Sequence, residues 1–323
     1  MQGQTVIPGL TDAHVHFEWL SIALQSVDVF EVPSREEAVQ RVAARAAQVA
    51  EETWIFGSGW TQDFWADRQF PSAADLDAVT GQRPVFLQAK SGHAAWVNSA
   101  ALQRAGITAS TPDPEGGQIV RDAEGQATGI LYETAMQLVA THIPKPTASQ
   151  LAEMMRYTQQ RFLAAGITGL HDYDNPSCLV ALQLLRVQGA LALRVVKHIN
   201  QPWLNQALDL GLRSGFGDEW LRIGCLKMFA DGALGPRTAL MIEPYEGEPD
   251  NYGLVVVDKE TLYADASRAS AAGLATTIHA IGDKAVHDVL DVFEMVRQEE
   301  AARGETPFQR RHRVPRLRRL HPR

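Results

Sequence analysis

Cysteine is nearly absent. Cys178 and Cys225 are the only two in 323 residues, too few for a disulfide framework and too far apart for a thiolate metal site. That scarcity makes a reducing cytoplasm the expected compartment. No apolar run reaches the length that spans a bilayer, and no basic-then-apolar leader opens the chain, so no membrane partner is expected. No glycine-rich phosphate loop follows the first apolar run, which argues against a doubly wound nucleotide-binding sheet. Internal repeats and low-complexity linkers are also missing. What remains is ordinary globular composition, 45% hydrophobic and 21% charged, with length enough for one large α/β domain or two smaller ones.

Charge is unevenly spread. The formal charge is −8, yet the stretch 309–323 carries seven arginines and no acid, leaving 23 Lys/Arg against 38 Asp/Glu elsewhere, a net of −15. A body that acidic argues against nucleic acid as the main partner.

The local signals come in order. Ser34 and Glu37 form a capping-box pair ahead of a helical run over 35–52. Residues 54–56 read as a strand closed by Gly57 and Gly59, followed by the aromatic loop 60–71, a helix over 72–79 and a buried strand over 84–89. The segment 91–98 leads into a helix to about 104, and 116–133 reads as a hairpin around D-A-E-G. From Thr147, with Gln150 as a second capping pair, helices and strands alternate regularly. The strands fall at 167–172, 191–199, 221–229 and 274–279, and the helices at 147–165, 176–187, 203–213, 259–272 and 283–302. Such alternation predicts βαβ units and a parallel sheet.

The first strand, within V-I-P-G-L-T-D-A-H-V-H at 6–16, reads as short, buried and ended by His14 and His16. Side chains two apart on a strand share a face, so both imidazoles can reach one metal ion beyond the strand end. Ordinary strand-end hydrogen bonding is the plainer alternative. If 28–146 is an insertion after this strand, five strands run in order with His14 and His16, His171 and Asp172, Lys197 and His198, Lys227, and His279 near their C-terminal ends. That is the face on which (β/α)-barrel active sites are built.

Four ordered stretches carry a resemblance: P-G-L-T-D-A-H-V-H at 8–16, S-G-H-A-A-W-V-N at 91–98, K-M-F-A-D-G-A-L-G-P-R-T-A at 227–239 and H-A-I-G-D at 279–283. With them the chain resembles the metal-dependent amidohydrolase superfamily, in the amidohydrolase 3 branch of N-substituted formamide deformylase-like proteins. The resemblance covers most of 5–308 and implies a (β/α)8 TIM-type barrel beside a small β-sandwich. It implies hydrolysis of a non-peptide C–N bond, an amide or N-formyl group, in a small-molecule substrate, with cyclic amide hydrolysis or deamination as superfamily alternatives. One or two divalent ions, zinc preferred, would be the cofactors, held by His14, His16, Lys227 and His279. Lys227 fits the family's carboxylated bridging lysine, since a buried neutral amine reacts with carbon dioxide and the carbamate is an anionic ligand. A hydroxide on the metal would be the nucleophile. The alternatives stay open: Lys227 paired with Asp231 or another acid, and His279 as a core histidine. His93, Asp231 and Trp60 are candidates for the substrate pocket, against loop-structural roles for the first two. For Trp60, Phe64 and Trp65 the alternative is plain core packing. The family also permits a homo-oligomer.

The chain departs from the family pattern near its end. The sixth strand should resemble R-H-R-I-E-H-V-Q; here 311–314 read R-H-R-V, and Pro315 and Arg316 stand where Glu-His is expected. A catalytic aspartate on an eighth strand has no counterpart, so the general base is unassigned. The expectation is an incomplete barrel over 1–308, most of the β-sandwich missing, and an aberrant Arg-rich tail over 309–323 from a frameshift or truncation. Such a chain would be weakly active or inactive, or a catalytically dead remnant that binds metal or a partner. A genuine basic tail for anionic partners is the alternative reading of 309–323.

Overall fold

The structure, a computed structural model, describes residues 5–306 and 309–315; the part of the expected tail at 316–323 lies outside the described residues. In chain order, β1 (Leu10–Val15) and α1 (Phe17–Ala23) come first. Then follow β2 (Val27–Asp28), α2 (Arg35–Ala46), β3 (Ile55–Trp60), α3 (Ala73–Thr80), β4 (Val85–Ala89), β5 (Ala94–Val97) and α4 (Ser99–Arg104). The hairpin strands β6 (Gly117–Arg121) and β7 (Ala127–Glu133) precede α5 (Met136–Ala140). The alternating part comprises α6 (Ala148–Ala164), β8 (Ile167–Asp172), α7 (Pro176–Val187), β9 (Arg194–Asn200), α8 (Leu204–Asp209), β10 (Leu221–Phe229), α9 (Lys259–Ala271), β11 (Thr276–His279) and α10 (Asp283–Ala302). None of these helices is long and apolar enough to cross a membrane.

These elements form two compact units, one of Met1–Ser21 with Thr147–Arg323 and one of Ile22–Pro146.

In the first unit, five strands pair in the order β1-β8-β9-β10-β11, every pairing parallel, and the sheet curls into a half-barrel within a mixed α/β fold. The helices form where local chemistry starts them. Thr147 and Gln150 cap α6 reciprocally, Pro176 opens α7 and Asp258 accepts the Thr261 N–H ahead of α9. Along α10, Ala285, Val289, Val292 and Val296 recur at helical spacing and are buried against Leu226, Met228 and Ile278 of β10 and β11. Those three residues belong to the sheet's outer face, so alternation turns Lys227 and His279 to the inner one. Past α10, Arg313 extends the parallel pattern. Its N–H donates to the Thr276 carbonyl at 3.1 Å and its carbonyl accepts from the Ile278 N–H at 3.1 Å, beside β11.

One expectation fails here. The apolar start of β1 is not buried: Val6, Ile7 and Leu10 are 74%, 70% and 57% exposed, because β1 ends the sheet and among the described residues only β8 pairs with it. The histidines at its far end do not depend on that burial.

The second unit is a six-stranded mixed sheet, β2-β3-β4-β5-β7-β6, parallel from β2 to β4 and antiparallel beyond. Its core centres on Trp60, Trp65 and Trp96, with ring centroids 6.2–6.4 Å apart. Strand β3 runs through Gly57 and Gly59 rather than stopping there. A Cβ on Gly57 would meet the Val27 carbonyl oxygen at 2.6 Å, and one on Gly59, at φ +104°, would meet the Phe30 backbone at 2.6 Å. Both glycines permit close strand approach instead of a turn. Helix α2 starts at its Ser34 cap as expected but ends at Ala46, after which Val49 reaches the core and its carbonyl accepts from Arg83 Nε at 3.1 Å.

Candidate metal centre

The inner face at the C-terminal ends of the half-barrel strands gathers a continuous series of side chains. His16 meets His14 edge-on, with ring centroids 5.6 Å apart and 61° between planes. His14 stacks on Tyr173 at 4.1 Å and 14°. The Lys227 Nζ lies 5.2 Å from the Tyr173 centroid and 4.2 Å from that of Phe229. Phe229 in turn packs on His279 at 5.3 Å, and the two are register partners across β10 and β11. Lys227 is 1% exposed, so its amine is withdrawn from water. Three imidazoles and a buried amine on three strand ends make a nitrogen donor set that suits a divalent ion.

Two of the ligand candidates are oriented by polar neighbours. His16 Nδ1 lies 3.0 Å from Asp174 Oδ1, and His279 Nε2 lies 2.7 Å from the Gly232 carbonyl oxygen. Asp231, buried, sits 3.8 Å from His279 Nε2, with Oδ1 accepting from Ile281 N–H and Oδ2 from Gly282 and Leu240 N–H. Its carboxylate thus ties together the backbone of three segments around His279.

The residues proposed on the substrate side divide between the units. His93 and Trp60 line one cavity of about 260 Å³ in the second unit, with Phe70, Tyr132, Asp63 and Glu133. His93 is exposed and its Nδ1 lies 2.9 Å from Glu133 Oε1. Trp60 is buried in the tryptophan core, its indole N–H donating to the Leu87 carbonyl at 2.8 Å. Asp231 belongs to the first unit.

Behind His16 lies an ion pair that sequence reasoning left unpaired. Lys197 Nζ is 2.9 Å from Asp172 Oδ2, with side chains 2% and 0% exposed. Burial pushes the Asp172 carboxyl above the usual carboxylate range, against the pull of Lys197, while the Phe17 and Asp174 N–H groups also donate to it. Asp172, Asp174 and Cys178 together offer metal-capable atoms within 4.8 Å of one another among the described residues. Lys197, His16 and four backbone N–H groups already engage the two carboxylates, and burial raises the Cys178 thiol well above its ordinary range, away from the thiolate a metal needs. Asp174 was missed because its partner is 158 residues away. The available signal was the spacing in D-Y-D at 172–174, which repeats the two-residue step of H-V-H on the neighbouring strand.

A second histidine pair, His171 half-buried and His198 buried, lies near the ends of the neighbouring strands β8 and β9. Arg313 Nη2 lies 2.9 Å from His171 Nδ1 and 2.6 Å from His198 Nε2. Burial, then Arg313, lowers His171 to about 4, and the same two causes in that order hold His198 well below its ordinary value. The Cys225 N–H donates to His198 Nδ1 at 2.9 Å, so two donors face a neutral ring that has one acceptor nitrogen. His312 is also buried, its Nε2 2.8 Å from Glu300. Within the described part of the Arg-rich stretch, His312 and Arg313 thus engage partners in the fold, while Gln309 and Arg311 are exposed.

A family model described as the Amidohydrolase family matches residues 1–317. The chain belongs to the amidohydrolase family. Among curated relatives, this amidohydrolase is 34% identical over 334 residues to the protein LONG AFTER FAR-RED 3 of Arabidopsis thaliana, covering all of this chain and 56% of that protein. It is 33% identical to the putative amidohydrolase YtcJ of Bacillus subtilis (strain 168), over 91% of this chain and 56% of that one. It is 30% identical to the N-substituted formamide deformylase of Arthrobacter pascens, over 94% of this chain and 58% of that one. The amidohydrolase thus spans just over half the length of these relatives. Its fold is similar to the crystal structure of an uncharacterized metal-dependent hydrolase from Pyrococcus furiosus, with a TM-score of 0.72, 32% identity, and coverage of 90% of this chain and 58% of that chain.

Proposed function

We propose that this amidohydrolase is a metal-dependent hydrolase of a non-peptide C–N bond, an amide or an N-formyl group, in a small molecule. The observation that carries the reading is the unbroken contact series from His16 through His14, Tyr173, Lys227 and Phe229 to His279 on one face of a parallel half-barrel. His14, His16, Lys227 and His279 are the proposed ligands of one or two divalent ions, zinc preferred, with Lys227 acting as its carbamate. A divalent ion supplies Lewis acidity toward the scissile carbonyl and lowers the pKa of water. The chain's own residues do the rest. Asp231 fixes the loop behind His279, and Tyr173 and Phe229 shield the Lys227 amine from water. The N-formyl option rests on the name of the Arthrobacter pascens relative. Two buried thiols, Cys178 and Cys225, suit the proposed cytoplasmic setting.

The test pairs elemental analysis with a panel of N-substituted formamides, amides, cyclic amides and deaminase substrates, before and after chelation. Metal-dependent release of amine and acid is the expected result. Metal retained without turnover of any substrate favours the alternative, a metal-binding chain without catalysis. Turnover that survives complete chelation contradicts the proposal.

A further inference from the structure

Of the two ring nitrogens of His16, one faces the metal in the proposed site. We infer that Asp174 is a positioning residue that selects it, an inference that rests on His16 being a ligand. Asp174 Oδ1 lies 3.0 Å from His16 Nδ1, and an ionised carboxylate can only accept, so the ring proton resides on Nδ1 and the Nε2 lone pair is left for a cation. A histidine in water favours neither role strongly; a fixed carboxylate on one nitrogen makes the choice and raises the basicity of the other.

Asp174 can do this because it is itself immobilised. Its second oxygen accepts from the Glu18 N–H at 2.6 Å and, more weakly, from the Trp19 N–H at 3.4 Å. Its own N–H donates to Asp172 at 3.1 Å, and Lys197 Nζ donates to its carbonyl. The fully buried Lys197–Asp172 pair therefore holds the Asp174 peptide from both sides. Asp172 also takes the Phe17 N–H at 2.9 Å, so the segment after His16 and the segment after β8 are fastened to one frame. The His16 side chain is 41% exposed and that of Asp174 11%, so the ring reaches outward from a buried anchor. Capping of the first N–H groups of α1 is the competing explanation for Asp174, and it makes a different prediction.

The experiment uses the full chain, metal-free, with 15N-labelled histidine, and reads the His16 ring tautomer by long-range 15N–1H NMR at a pH where the ring is neutral. Zn2+ and Co2+ affinities are then measured by competition with a chromogenic chelator. Wild type is expected to show the Nδ1–H tautomer. Asp174→Ala is expected to shift His16 toward Nε2–H and to weaken metal affinity about 10- to 100-fold. Asp174→Asn, whose amide oxygen can still accept from Nδ1–H, is expected to retain the tautomer with an intermediate affinity, and it serves if the alanine variant fails to fold. A wild-type Nε2–H tautomer overturns the inference. So does a lower melting temperature in Asp174→Ala with tautomer and affinity unchanged, the signature of capping alone. Wild-type protein that shows Nδ1–H but binds neither ion sinks the metal reading and with it the ligand role, while leaving the Asp174–His16 hydrogen bond established.

Discussion

The two units of this chain bury polar groups in different ways. In the Ile22–Pro146 unit the buried polar side chains, such as Thr80 and Asn98, are neutral and satisfied. Asn98 accepts from the Val85 and Ala101 N–H groups and donates to Thr80 Oγ1 and the Arg83 carbonyl, while the tryptophans donate to backbone carbonyls. The half-barrel unit instead buries Lys197, Lys227, Asp172, Asp231 and Glu300, with exposures of 0–2%. Burying a charge costs several kcal/mol unless it is paired, so a fold keeps one where something compensates. Asp172–Lys197 and Asp231 have structural compensation in view. Lys227 lies against the faces of Tyr173 and Phe229, on the inner face that also carries His14 and His279. The contrast teaches where to look for function, because perturbed ionisable groups collect at working sites.

The contrast can be broken by substitution. Lys197→Ala strands the Asp172 carboxylate and should cost about 3–5 kcal/mol, read as a shifted urea midpoint at unchanged slope. A loss under 1 kcal/mol would mean that the pair is not the frame of the half-barrel. Acid should act next. The folded chain holds His171 at about 4 against 6.5 in the unfolded chain, with His198 displaced in the same direction. Between those values the unfolded chain binds more protons, so stability rises with pH through the window and is lost as pH falls from 6.5 toward 4. His171→Asn should flatten that slope; an unchanged slope would contradict the account of the pair.

The second unit is expected to respond less, and without consequence for metal. Asn98→Ala leaves buried donors and acceptors unmet and should cost about 2 kcal/mol, with Zn2+ affinity unaltered. Ser34→Ala removes the cap of α2 and should cost about 1 kcal/mol. Either variant weakening metal binding tenfold would dissolve the distinction between the units.

Much of this arrangement was legible beforehand, and the reasons are local. α7, β10 and α10 run as their proline, apolar run and acidic first turn indicate, and three strand ends carry the histidines and lysine that the H-V-H pattern and the family resemblance pointed to. Features set by distant chain were not legible. Gly57 and Gly59 look like stops and are points of close approach to Val27 and Phe30. Val6 and Ile7 read as buried and are exposed at the end of the sheet. Asp174 on His16 and Arg313 on His171 join residues 158 and 142 positions apart, and no periodicity encodes such a pairing.

The central claim is that His14, His16, Lys227 and His279 hold a divalent ion. Its most direct test is metal stoichiometry after titration with Zn2+ and removal of excess, in wild type and in the His14→Ala/His16→Ala double variant, with folding of both verified by circular dichroism. The account predicts at least one tightly held ion per wild-type chain and none in the double variant. Equal metal in the two proteins, or none in either, would contradict it.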